Sequence, residues 1–153
     1  MAGHSRTIEG MTKAPAALPP RVREFLASGR HFATIATIDP DGAPRQAVIW
    51  YRMDGEDVII NSLVGRRWPS NLLRDPRINV AVADRDDGYR WVGITGTAEP
   101  IHDQATAQAD IAAMAQHYDG DDPDDVARQI RRFESQQRIS FRVRASAVHD
   151  HLD

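Results

Sequence analysis

Phe32-Ala-Thr-Ile-Ala-Thr-Ile38, Asp39-Pro-Asp-Gly-Ala-Pro44 and Arg45-Gln-Ala-Val-Ile-Trp-Tyr51 run consecutively, and their reading decides the fold. Two runs of β-branched, aromatic and small residues flank a turn containing an Asp-Gly pair. Such a pair tolerates positive φ, so the segment predicts a β-hairpin. A second Asp-Gly pair, at 54–55, turns the chain into Val58-Ile-Ile-Asn-Ser62. Gly65-Arg-Arg67 follows, then a short helix over 69–75 stopped by Pro76. Two hairpins thus deliver a pair of arginines to the start of a helix. Backbone N–H groups at a helix start and guanidinium forks suit a phosphate or carboxylate. The competing reading of the same residues is a solvated turn before a surface helix.

Outward from this segment, Pro19-Pro20 opens a helix with Val22, Phe25 and Leu26 on one face and Gly29 placed to end it. Strands are expected at about 31–38, 45–53 and 57–62. The next is Ile78-Asn-Val-Ala-Val-Ala83, whose alternation buries Ile78, Val80 and Val82. Trp91 to Ile101 reads as a long strand. Its Gly93 and Gly96 signal a bulge, a barrel corner or a close ligand approach. Asp103 caps a helix with Ile111, Met114, Ala115 and Tyr118 on one side. Asp122-Pro123 reads as the cap and first residue of another helix, with Val126, Ile130 and Phe133 as its apolar stripe. In the last strand, 139–147, Ile139, Phe141, Val143 and Ala145 are expected inside, with Ser140, Arg142, Arg144 and Ser146 outside. Six strands joined mostly as hairpins make an antiparallel sheet. A small sheet of that kind removes its edges by closing into a barrel.

The composition narrows the function classes. The chain has 153 residues, 41% hydrophobic and 27% charged, as expected for one soluble domain. A net charge of −3 disfavours a nucleic-acid binder. The absence of cysteine excludes disulfides, thiolate metal sites and thiol catalysis. No apolar run approaches the roughly 20 residues of a membrane span, and Met1 to Leu18 lacks the apolar core of a signal peptide. The expectation is a cytoplasmic protein with a flexible tail at 1–18, a domain at 19–150, and neither membrane nor nucleic acid as partner. Among the basic residues all but Lys13 are arginine. The six histidines show no metal-ligand spacing, and His149 and His151 alone fall short of a ligand set. The acid-rich 119–125 lacks a calcium-loop pattern. No nucleophile elbow, triad order or carboxylate pair marks a catalytic residue, as expected if a cofactor carries the chemistry.

The ordered set of Asp-Gly turn, Val48-Ile-Trp50, Gly65-Arg-Arg67, Asn71-Leu72 and Arg74-Asp-Pro-Arg77 before a Val/Ala strand resembles the pyridoxamine 5'-phosphate oxidase-like, FMN-binding split barrels. Within them it is most similar to small actinobacterial oxidoreductases that use the deazaflavin coenzyme F420. The resemblance spans about residues 20–148. It implies a mainly β fold with flanking helices: a six-stranded antiparallel split β-barrel, homodimeric, with the cofactor in a groove shared by two subunits. By the same resemblance, Gln46, Val48, Ile49 and Trp50 line the flavin or deazaflavin ring. Ile60, Asn61 and Ser62 reach the ring and its side chain, Arg66 and Arg67 grip the phosphate, and Asn71 matches the helix asparagine. Trp68-Pro69 departs from the small or β-branched residues of the relatives. Trp50, Tyr51 and Trp91 either stack on a flat ring or pack in the core or dimer contact. Trp91 is carried as a cofactor contact reaching the partner's site, while Gln46, Asn61, Ser62 and Thr95 are candidate hydrogen-bonders.

The implied function is hydride transfer between F420 and a small unsaturated or quinone-like acceptor. F420 carries a phosphate and an acidic oligoglutamate tail, which suits an extended arginine surface. The alternatives are an FMN-binding reductase or oxidase on the same fold, or a non-catalytic cofactor-binding protein.

Overall fold

A computed structural model of the chain describes residues 16–153. Helix α1 (Pro20–Ala27) has proline at its first position and buries Val22, Phe25 and Leu26. It stops before Gly29, whose φ of 65° only glycine adopts readily. Strands β1 (Ala33–Ile38) and β2 (Pro44–Ile49) form the expected hairpin, with Ala33 opposite Ile49 and Ile38 opposite Pro44. Strands β3 (Arg52–Asp54) and β4 (Asp57–Leu63) form a second one. After them come α2 (Arg67–Arg74), β5 (Arg77–Ala83), β6 (Trp91–Ile101), α3 (Gln104–Asp119), α4 (Pro123–Glu134) and β7 (Arg138–His151).

All pairings are antiparallel, and the seven strands form one sheet in the order β2-β1-β5-β6-β7-β4-β3. The expected strand at 45–53 is therefore two strands, and the sheet has seven strands rather than six. Trp50 and Tyr51 have strand-forming side chains, but the break falls between β2 and β3. These strands lie at opposite margins of the sheet, yet Ile49 and Arg52 are three peptide steps apart, a reach of at most about 11 Å. The margins must meet, so the sheet curls into a barrel that is split at this seam.

The barrel interior holds Ile35, Val58, Ile60, Val80, Val82, Val92, Phe141 and Val143, all nearly inaccessible. Each contributes about 1.5–3 kcal/mol of apolar burial. A second cluster lies outside the barrel, where α3 and α4 cover β4: Ile59, Ile111, Met114, Tyr118, Val126 and Phe133. Strand β4 is thus buried on both faces. So is the start of β7, where Ser140, expected outside, is fully buried. The helices begin at side-chain caps, Asp103 accepting from Thr106 N–H and Asp122 from Asp125 N–H. In β6 the register shifts between Thr95 and Gly96, and a Cβ on Gly96 would sit 2.2 Å from the Arg144 carbonyl oxygen. The glycine is there because the backbones touch.

Residues 16–18, expected in the tail, pack against the barrel. Ala16 N–H donates to the Ala145 carbonyl at 2.8 Å, and Leu18 is buried in the core. The remainder of the expected tail, 1–15, lies outside the described residues. Among the described residues no helix is long and apolar enough to cross a membrane.

Candidate functional site

The seam opens into a cleft of about 340 Å³. Its walls come from four places: Val48, Ile49 and Trp50 at the end of β2, Asn61 and Ser62 at the end of β4, Arg66 before α2, and Ile111 and Met114 on α3. Phe32, Trp68 and Arg138 complete it. A second chamber of about 390 Å³ continues from the first, sharing Trp50, Arg66, Ile111 and Arg138. Gln129, Arg132 and Phe133 of α4 and Gln136 before β7 line its far side. Trp50 presents one face to the cleft and stacks the other on Tyr118, with centroids 5.0 Å apart and planes 5° from parallel. Phe32 stacks on the same tyrosine at 5.5 Å. The cleft therefore has a preformed aromatic edge, suited to a flat ring.

Three guanidinium groups converge here, and among the described residues none of Arg66, Arg132 and Arg138 forms an ion pair. Arg138 is buried. Its Nε donates to Asn61 Oδ1 at 2.8 Å, its Nη1 donates to Gln136 Oε1 at 2.6 Å, and its guanidinium lies 4.9 Å from the Phe133 ring centroid. Burial pulls its pKa down to about 10, and repulsion from Arg66 and Arg132 adds to the effect. At neutral pH it remains charged, so the fold holds a desolvated cation with no counter-ion among the described residues. That is the electrostatic condition of an anion site.

The expected arginine pair divides. Arg66 faces the cleft, whereas Arg67 points to the other side of α2 and approaches Asp39 at 3.8 Å. Asp39 is the centre of a neutralised cluster: it accepts from Arg45 at 2.9 Å and from Asn71 at 2.9 Å. These two bonds, Arg45 first, hold its carboxyl below the usual carboxylate range. Asn71 also donates to Thr37 Oγ1 and accepts from Arg74. Its amide ties α2 to β1 and does not face the cleft, so the placement expected for Asn71 is corrected.

Of the other expected contacts, Val48, Ile49, Trp50, Asn61, Ser62 and Arg66 come together in the cleft. The Ile60 side chain does not; its alternation points it into the barrel core, fully buried. Gln46 and Trp91 line a separate hollow of about 340 Å³ on the outer face of the sheet, with Thr95 and His149. There Trp91 stacks on His151 at 4.2 Å. Tyr51 is a core residue whose hydroxyl donates to the Leu26 carbonyl at 2.7 Å, and burial pushes its pKa up. Trp68 is buried against Phe141 while still touching the cleft. Pro69 lies inside the first turn of α2, where it removes one of the N–H groups expected to bind an anion.

Arg132 and Arg138 were not among the expected site residues. The signal for Arg138 was present in the phase of β7. Arg138 is on the same face as Ser140, the face that α3 covers, and the polar run Gln136-Gln137-Arg138 follows directly on the apolar stripe of α4.

Comparison with known proteins agrees with this architecture. The profile of the pyridoxamine 5'-phosphate oxidase family matches residues 18–150. A solved F420 reductase is 26% identical, with 82% of this chain and 94% of that chain covered and a TM-score of 0.66. A conserved hypothetical protein from Mycobacterium tuberculosis is 23% identical over 90% of this chain and 87% of its own, with a TM-score of 0.72. HupZ from Group A Streptococcus is 17% identical over 89% and 96%, with a TM-score of 0.63. The last two likenesses show the fold alone. No curated protein matches the chain.

Proposed function

This chain belongs to the pyridoxamine 5'-phosphate oxidase family, and we propose that it is an F420-dependent oxidoreductase acting on a small unsaturated or quinone-like acceptor. One observation carries the reading: three guanidinium groups, without ion-pair partners among the described residues, line two joined chambers that share the Trp50 ring. A ligand that is flat at one end and anionic at the other matches this layout. Val48, Ile49 and Trp50 would flank the ring, and Arg66 and Arg138 would hold the phosphate. When bound, the deazaflavin ring supplies the hydride. The chain's own residues bind it, orient it and shield one face. The second chamber, with Arg132, Gln129 and Gln136, gives an acidic tail beyond the phosphate a place to lie. That favours F420 over FMN, which ends at its phosphate, and the solved F420 reductase is in keeping with it.

The sheet face carrying Thr34, Ala36, Asn79, Ala81, Gly93 and Thr95 forms the shallow outer hollow and is rich in small residues and partly exposed. A second copy of the chain is the proposed cover. It would bury Gln46 and Trp91 and close the cleft beside Val48, which is 70% exposed. Sedimentation should then give a dimer, and a monomer that binds cofactor tightly would refute the shared groove.

The deciding experiment titrates F420 and FMN side by side by fluorescence. Tight F420 binding with hydride transfer to a quinone panel is expected. Preference for FMN would move the protein to the flavin branch. Binding of neither would reject the reading, and tight binding without turnover on any acceptor would make it a carrier.

A further inference from the structure

We infer that Asn61 is the positioning residue for Arg138, held by a buried chain Arg52–Asp110–Ser140–Asn61, and that its being an amide rather than a carboxylate keeps the Arg138 charge free for a bound anion. The inference rests on the reading above that Arg138 anchors the anionic group.

Each link fixes the direction of the next. Asn61 and Ser140 are directly opposite on β4 and β7, both facing α3. Arg52 Nη1 donates to Asp110 Oδ1 at 3.1 Å, and Asp110 Oδ2 accepts the Ser140 hydroxyl proton at 2.7 Å. That hydroxyl has one proton, already committed, so toward Asn61 it can only accept. Asn61 Nδ2 donates to it at 2.9 Å and to the Ala107 carbonyl at 2.9 Å, which uses both amide protons. Oδ1 is then forced toward Arg138, where it receives Nε at 2.8 Å. A flipped amide would set donor against donor. Asn61, Asp110, Ser140 and Arg138 are each at most 8% exposed, so water does not compete for these bonds. Among the described residues no buried side-chain polar atom lacks a partner. Arg138 Nη2, which has no partner among the described residues, therefore keeps access to the cleft.

The neutrality of Asn61 matters because Asp110 already has Arg52 as its counter-ion. A carboxylate at 61 would make the same bond to Nε but would also neutralise the guanidinium. An anion in the cleft would then meet an ion pair instead of a cation. The same change puts an acceptor in place of Nδ2, facing the Ala107 carbonyl and the committed Ser140 oxygen, so Asn61→Asp costs stability as well; a loss of charge from the salt dependence of binding is the result that a merely structural role would not give.

The test titrates F420 and FMN into the full chain and into Asn61→Asp, Ser140→Ala, Ser140→Thr and Arg138→Gln, with thermal melting and the salt dependence of binding for each. Asn61→Asp should lower Tm, weaken binding about tenfold and flatten its salt dependence, whereas a merely structural loss would leave the salt dependence as in the parent. Ser140→Ala should weaken binding several-fold with the salt slope unchanged, and Ser140→Thr, which restores the hydroxyl, should recover it. If Asn61→Asp does not fold, the serine pair decides alone. Arg138→Gln separates the two readings. If it leaves affinity intact, Arg138 is not the anchor and both fall. If it weakens binding about a hundredfold while Asn61→Asp, or failing that Ser140→Ala, binds as the parent does, only the positioning role is overturned.

Discussion

The two sides of α2 carry the same residue type in opposite electrostatic states. On one side Arg45, Arg67 and Asn71 surround Asp39, and both guanidinium groups face that one carboxylate. On the other, Arg66, Arg132 and Arg138 share a cleft with no carboxylate to pair with. The first arrangement is self-sufficient: it ties the β1–β2 turn to the helix and needs nothing from outside. The second is uncompensated, since like charges held close and partly desolvated cost stability. Adjacent arginines in the sequence, 66 and 67, therefore do different work. The location of the acids, not of the arginines, marks the site.

The contrast can be broken most forcefully at Arg138. Arg138→Gln should cost about 2–5 kcal/mol of cofactor binding, measured by fluorescence titration, with Tm unchanged or raised. A fall in Tm with unchanged binding would mean that the cluster is structural. Arg66→Gln, on the exposed rim of the same cleft, should weaken binding by about 1–2 kcal/mol, because a solvated charge contributes less than a buried one. Arg67→Gln should change affinity by less than about threefold, given its distance from the cleft and its position near Asp39. A larger loss would restore Arg67 to the anchor and erase the distinction between the two sides.

The smallest effect is on stability with pH. The folded Asp39 pKa lies below its unfolded value, so its contribution is fully present above the usual carboxylate range. It is lost as pH falls through the lower folded value. Acid titration of Asp39→Asn should accordingly show a shallower loss of Tm than the parent, while F420 binding measured at neutral pH stays the same.

Much of this was legible in the sequence, wherever the cause is local. The Asp-Gly turns, the aspartate caps of α3 and α4 and the glycine-marked bulge in β6 are decided within a few residues, and all are present. The break at Trp50-Tyr51 was not legible, because both residues are good strand formers and only the closure of the sheet dictates where pairing stops. Ser140 misled for a related reason. Alternation shows which face a side chain is on, but not that α3 covers the second face. Arg138 was missed because it stands just ahead of the run whose alternation is clean, and its significance depends on Asn61, 77 residues earlier. For the arginine doublet, sequence order suggested a common target, whereas Arg66 is extended just ahead of α2 and Arg67 is its first helical residue, so the backbone changes course between them.

The Trp50–Tyr51 seam has a mechanical consequence. Two residues are too short a tether to let the barrel's rims separate, so the width of the mouth is set by covalent length and is insensitive to occupancy. Adjustment to guests of different bulk then falls to the α3–α4 arm, which is packed against the barrel wall and forms the opposite bank. Selectivity among bound molecules should therefore be tuned by substitutions on that arm, with the rim itself acting as a fixed gauge.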